Sequence, residues 1–281
     1  MGVRREAREA LAAAGLRPQK RFGQHFLCDG GVVRRILDLA EVDADSVVIE
    51  IGPGLGALTD GLARRAGRLY AIEIDRALAD RLVERHAADP RVRVLAGDVL
   101  ELPLADLIEE PVATVVANLP YNIGTEVVFR LLDLRERFPR AVLMLQREVA
   151  ERFAAKPGSD DWGVTSVLVQ TFASVRVAFG VSRRSFVPVP NVDSAVVDIR
   201  WSAAPRVDVG DPTAHRAVVR AAFGKRRKML RNAIADLAAA WQVDAMSAFA
   251  RAEIDPAARA ETLDLAAFGR LTRAFLERRD A

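Results

Sequence analysis

Between about Ser46 and Arg200, short runs of Val, Ile and Leu alternate with stretches whose apolar residues recur every three or four positions. The runs "SVVIEI" (46–51), "RLYAIEI" (68–74), "VRVLAG" (92–97), "VATVVAN" (112–118) and "RAVLMLQ" (140–146) are short and rich in Val, Ile or Leu, which predicts strands. Residues 56–66, 76–86 and 125–133 carry helical spacing between them. Strand and helix in alternation predict a doubly wound, Rossmann-like α/β domain around a mostly parallel sheet. Farther on, "VTSVLVQTFASV" (164–175) reads as a helix and "SAVVDIRW" (194–201) as another strand.

A polar linker, "SAAPRVDVGDP" (202–212), follows with two prolines and a glycine. Beyond it only helical spacing remains, over 213–223, 228–240, 244–251 and 264–278. The expected division is an α/β domain over 1–204 and a small all-helical domain over 205–281.

Composition narrows the class. Of 281 residues, 51% are hydrophobic and 28% charged, as in an ordinary globular protein. No uninterrupted apolar run approaches the roughly 18 residues that span a bilayer. The one cysteine, Cys28, allows no internal disulfide and no cysteine-built zinc site, and its expected role is packing. A cytoplasmic, metal-free protein with no membrane partner is expected, and nothing demands more than a monomer. Charge is informative locally: net charge is only +3, yet no acid occurs from Ala214 to Ala235. That window holds Arg216, Arg220, Lys225, Arg226, Arg227, Lys228 and Arg231, and Arg17, Lys20 and Arg21 form a second basic group. Such clusters suit a polyanion such as RNA, and they suit a solvated helix face equally well.

"VVIEIGPGLGALT" (47–59) is a strand running into a glycine turn and a helix. Gly52 and Gly54 permit positive φ and close backbone approach, and Glu73 ends the next strand, where an acid can accept both hydroxyls of a ribose. These features fit NAD and S-adenosylmethionine alike. Two others separate them. Asp98, in "LAGDVLEL" (95–102), follows the third strand at a depth where a carboxylate can accept an adenine amine, although Asp also commonly caps turns. "NLPY" (118–121) follows the fourth strand, where many methyltransferases of planar amines carry a related tetrad. A dehydrogenase has no use for it.

The chemistry of that tetrad is specific. An exocyclic amine is a poor nucleophile because its lone pair is delocalised into the ring. The Asn118 side-chain carbonyl and the backbone carbonyl of Leu119 or Pro120 can each accept one amine hydrogen, freeing the lone pair and stabilising charge that grows on nitrogen. Pro120 stiffens the turn and Tyr121 offers a face for stacking.

Six ordered stretches resemble one known family, the 16S rRNA adenine N6,N6-dimethyltransferases: "RFGQHFL" (21–27), "EIGPGLGALT" (50–59), "NLPYNI" (118–123), "LMLQREVAERFAAKPGS" (143–159), "SFVPVPNVDSAVV" (185–197) and "FGKRRKMLRNAI" (223–234). The resemblance covers nearly the whole chain from about Arg21. It implies S-adenosylmethionine as cofactor, held by His25, Leu27, Gly52, Gly54, Glu73, Asp98 and Asn118. It implies a target base handled by Asn118, Leu119, Pro120 and Tyr121, with Phe186 closing on the other face. His25 stands where the family leads one to expect Asn. The implied reaction places two methyls on each of two adjacent adenines in the 3′-terminal hairpin loop of small-subunit rRNA, with the basic window and helical domain holding RNA and ribosome. Two alternatives stand beside it: dimethylation of 23S rRNA of the macrolide-resistance type, and a mainly non-catalytic checkpoint in small-subunit assembly.

Overall fold

The computed structural model describes residues 23–225 and 228–277. They divide into two compact units, one comprising the described residues up to Ala150 with Val175–Trp201, the other Glu151–Ser174 with the described residues from Ser202 onward. The chain therefore enters the second unit twice, and the boundary expected near residue 205 lies close to only the second entry. Residues 151–174 belong with the helices because they bond to them: Trp162 Nε1 donates to the Leu263 carbonyl (2.9 Å) and the Gly158 N–H to Glu261 (2.8 Å).

In the first unit the elements run β1 (Phe26–Leu27), α1 (Gly30–Ala40), β2 (Val47–Ile51), α2 (Thr59–Arg65), β3 (Arg68–Glu73), α3 (Arg76–His86), β4 (Val92–Ala96), β5 (Thr114–Asn118), α4 (Gly124–Asp133) and β6 (Arg140–Gln146). After α5 (Arg147–Phe153) and α6 (Val164–Phe172), it continues with β7 (Ala173–Val181), β8 (Phe186–Val187) and β9 (Ser194–Trp201). Side chains set the helix starts: Asp29 accepts the Gly31 and Val32 N–H groups to cap α1, and Asp75 caps α3 through Ala77.

The main sheet has the order β4-β3-β2-β5-β6-β9-β7. β2 pairs in parallel with both β3 and β5, so the chain builds outward to β4, then returns to the other side of β2. That reversal leaves a crevice beyond the carboxyl ends of β2 and β5, where open α/β sheets bind ligands. β2, β3, β5 and β6 are almost wholly buried, as expected of central strands covered on both faces. β9 runs antiparallel to β6, from Arg140 opposite Arg200 to Gln146 opposite Ser194. The expected helix over 164–175 ends at Phe172, and the next residues form β7, a strand the apolar pattern alone did not separate from the helix.

In the second unit, α6 is joined by α7 (Pro212–Gly224), α8 (Leu230–Ala233), α9 (Ala235–Ala240), α10 (Ala245–Ala252) and α11 (Leu265–Leu276). The single helix expected over 228–240 breaks at Ile234. Among the described residues, no helix is long and apolar enough to cross a membrane.

His215 of α7 is fully buried in this unit, with Nδ1 3.0 Å from Thr272 Oγ1 on α11 and Nε2 3.1 Å from Thr171 Oγ1 on α6. The Thr171 and Thr272 hydroxyls also donate to the Val167 and Phe268 carbonyls, so a neutral ring donates to one hydroxyl oxygen, and its other nitrogen accepts only if the second hydroxyl turns from its carbonyl to the ring. Burial pushes the imidazole down to about 4 from its ordinary 6.5. The unfolded chain then binds a proton that the folded chain refuses, so stability falls as pH drops through 6.5 and levels below 4. The loss is about 3 kcal/mol. Urea midpoints measured across this window are expected to slope in the parent and flatten in His215→Gln. Equal slopes in both proteins would remove His215 as the cause.

Candidate active site

One cleft opens at the carboxyl ends of the parallel strands, and residues from six chain segments meet in it. Gly52 and Gly54 begin the turn after β2 with φ of 68° and 58°, a region open chiefly to glycine. A side chain at Gly54 would also place its Cβ 3.1 Å from the Phe26 ring. α2 does not start until Thr59, so the cradle is made by the turn itself and not by a helix end at residue 56.

Glu73 ends β3 and is 4% exposed. Its two oxygens each accept a backbone N–H, Oε2 from Gly54 and Oε1 from Asp75, both at 2.9 Å. Burial pushes this carboxyl above the usual carboxylate range, while those two N–H groups pull the other way. The acid and the glycine turn are thus one hydrogen-bonded unit, which explains their spacing in the chain. Asp98 also lines the cleft, half-buried, and its Oδ1 accepts the Leu100 N–H at 2.8 Å. It is a turn cap and a cleft residue at once.

Sequence reasoning missed Glu50. It lies in the middle of buried β2, lines the cleft, and its Oε2 has no hydrogen-bond partner among the described residues. Burial pushes its carboxyl up to about 8, with Thr59 pulling the other way and the negative charges of Glu73 and Asp60 adding to the push. A carboxyl held neutral in this way would ionise beside a cationic ligand. The available signal was an acid inside an otherwise apolar strand. Ile74 and Val99 were missed too; each directly follows a recognised acid and supplies an apolar wall to the cleft.

The turn after β5 is tied to the segment Gly23–Leu27. Asn118 Nδ2 donates to the His25 carbonyl at 3.2 Å. A carbonyl only accepts, so this contact fixes the amide with Oδ1 as its remaining acceptor. The Pro120 carbonyl takes the Ile123 N–H (3.3 Å), whereas the Leu119 carbonyl accepts no hydrogen bond among the described residues. The Leu119 side chain is buried and Pro120 is half-buried beside it. Tyr121 is half-buried, its hydroxyl 2.8 Å from Ser194 Oγ and its ring stacked on His25 with centroids 5.3 Å apart. Burial raises the Tyr121 phenol. Leu27 reaches the cleft but is mostly sunk in the core.

Phe186 is placed differently from the expectation. β8 pairs antiparallel with β1, setting Phe186 opposite Leu27 and Val187 opposite Phe26. Side chains alternate faces along a strand, so Leu27 and Phe186 both enter the core with Val32 and Ile36, and Phe186 is 0% exposed. Its ring is a core anchor here and presents no face to a base. Cys28 is buried as expected, its thiol donating to the Phe26 carbonyl.

In the second unit, Arg216 and Arg220 lie one turn apart on α7, half-buried and exposed respectively. Lys225, Lys228 and Arg231 are exposed, and Lys225 pairs with Asp236 at 2.8 Å, just past the acid-free window. Arg226, Arg227, Arg17, Lys20 and Arg21 lie outside the described residues.

A strand order that reverses beside β2, with one antiparallel strand set between β6 and β7, carries the cleft of a class I methyltransferase. The chain belongs to the ribosomal RNA adenine dimethylase family, whose model matches residues 15–275. A relative named ribosomal RNA small subunit methyltransferase A, from Geobacter sulfurreducens, is 46% identical over 93% of this chain and 96% of its own length. The protein of the same name from Pseudomonas aeruginosa is 42% identical, again over 93% and 96%. Among solved structures, a dimethyladenosine transferase from Plasmodium falciparum shares the fold with a TM-score of 0.78 at 24% identity, covering 90% of this chain and 98% of that one. The 23S rRNA methyltransferase ErmE gives 0.70 at 26% identity, with 89% and 99% covered.

Proposed function

We propose that this chain transfers methyl groups from S-adenosylmethionine to N6 of two adjacent adenines in the 3′-terminal loop of small-subunit rRNA, two to each. One observation carries the reading: the Asn118 amide is held by the His25 carbonyl so that Oδ1 serves as acceptor, next to a Leu119 carbonyl that accepts no hydrogen bond among the described residues. Two acceptors match the two hydrogens of an exocyclic amine. Of the two backbone carbonyls considered for this task, Pro120's is already used by Ile123, which leaves Leu119's.

The cofactor supplies an electrophilic methyl on a sulfonium. The residues present fit it: Glu73 can take the ribose hydroxyls, Asp98 the adenine amine, and the buried Glu50 carboxyl, whose Oε2 has no partner among the described residues, would ionise beside positive charge. The chain's own work is positional. Asn118 Oδ1 and the Leu119 carbonyl turn the target lone pair toward the methyl and stabilise the charge that develops on nitrogen. The alkylated nitrogen would be acidic enough to lose its proton to water, so the site needs no strong general base. Loop adenines suit this site because they are already partly unstacked.

The exposed basic residues of α7 and α8 would hold the RNA backbone in the small subunit, with the protein acting as a cytoplasmic monomer. The small subunit is favoured over the large by the shared name of relatives 40–46% identical, against 26% for the 23S enzyme. The test is methyl incorporation from labelled S-adenosylmethionine into subunits that lack the modification. Label approaching four methyls per small subunit is expected. Label on large subunits would move the activity to the other class, and none on either would leave an assembly factor.

A further inference from the structure

Where the family resemblance leads one to expect Asn, this chain places an aromatic ring, and the structure gives that ring two contacts. His25 Nδ1 lies 2.8 Å from the Pro188 carbonyl. A carbonyl only accepts, so Nδ1 carries the hydrogen, and a neutral imidazole then has no N–H left to offer. The donor role toward a cofactor carboxylate that an Asn could fill is therefore closed to the neutral side chain in this arrangement. Its other contact is a stack on Tyr121, with centroids 5.3 Å apart and planes inclined by 29°. The far end of the Tyr121 ring is pinned by its bond to Ser194, which is 0% exposed.

We propose that His25 is a positioning residue for the target base: it forms the rear layer of a three-ring stack in which Tyr121 is the middle layer and the adenine occupies the opposite face of Tyr121. This rests on the reading of Asn118–Tyr121 as the base site. The physical reason is preorganisation. A tyrosine free to rotate loses that freedom when a base arrives, whereas one held by Ser194 at its hydroxyl and by an imidazole on one face is already in place. His25 is itself tethered through Pro188, and its own carbonyl orients Asn118. One residue thus sets both the acceptor and the stacking platform.

The test compares His25→Phe, His25→Asn and His25→Ala, with Tyr121→Ala alongside. Two quantities are measured: KM for small subunits lacking the modification, and the calorimetric Kd of S-adenosylmethionine. Aromatic pairs contribute about 0.5–1.5 kcal/mol beyond burial, roughly a two- to tenfold effect. His25→Asn and His25→Ala are expected to raise the subunit KM by that factor, His25→Phe to restore it, and all three to leave the cofactor Kd within twofold. Weaker cofactor binding in all three with an unchanged subunit KM would overturn the proposal and make His25 a cofactor ligand. A raised KM in Tyr121→Ala with no change in any His25 variant would sink the rear-layer role alone. No change in Tyr121→Ala either would remove the base site itself.

Discussion

Asn118→Ala lowers single-turnover methyl transfer about 10²–10³-fold while the cofactor Kd moves by only a few-fold; that is the largest effect expected of any single change in the cleft. The reasoning is differential. The Asn118 acceptor matters little to a neutral amine in the ground state, and most when positive charge has grown on that nitrogen. Its loss should therefore appear in turnover and not in binding. The structural cost is small, because the side chain is half-buried at the end of β5 and gives up one hydrogen bond, to the His25 carbonyl, typically worth about 1 kcal/mol. Asn118→Asp separates the two jobs of the amide. It keeps an acceptor but brings a carboxylate against the His25 carbonyl, so it should fall between the parent and the alanine variant. Turnover of Asn118→Ala within tenfold of the parent would remove the side-chain acceptor from the mechanism.

Much of this was legible in the chain because the parallel sheet is buried on both faces. β2, β3, β5 and β6 are apolar runs with little alternative reading, and β9 matches its sequence stretch from Ser194 to Trp201. Gly52, Gly54, Glu73, Asp98 and Asn118 were recognisable as cleft residues because each ends a strand or lies within three residues after one. What local pattern could not carry was pairing across long separations. His25 and Pro188 are 163 positions apart, and β1 and β8 are only two residues each, so nothing nearby marks them as partners. Phe186 shows the consequence. The family resemblance implied a ring closing on a base, and a register set by distant Leu27 turned it into the core. β7 was hidden for another reason: it follows α6 without a break, in one continuous apolar stretch.

The edge of the first unit's sheet depends on one buried acid, and here burial decides which of several ion pairs matters. Asp198 on β9 is 3% exposed in its side chain and meets three arginines: Arg140 at 3.2 Å, Arg176 at 3.3 Å and Arg200 at 3.4 Å. Arg176 and Arg200 are 64% and 52% exposed, so water screens them and their truncation should change stability by less than about 1 kcal/mol each. Arg140 is different. At 13% exposed it joins Asp198 to the end of α1, donating to the carbonyls of Leu39 and Ala40 and pairing with Glu41. Asp198→Ala strands this guanidinium in a place where solvent cannot replace the lost charge, and breaking such a pair costs about 3–5 kcal/mol. The lower end is expected, because Arg140 retains Glu41 and two carbonyls. Replacing both partners, as Asp198→Leu with Arg140→Met, should recover much of the loss, since the penalty arises from an unmatched charge and not from a missing attraction. Urea midpoints for the four variants decide the matter. An Arg176→Ala loss equal to that of Asp198→Ala would mean that the exposed pairs, not the buried one, hold this edge of the sheet.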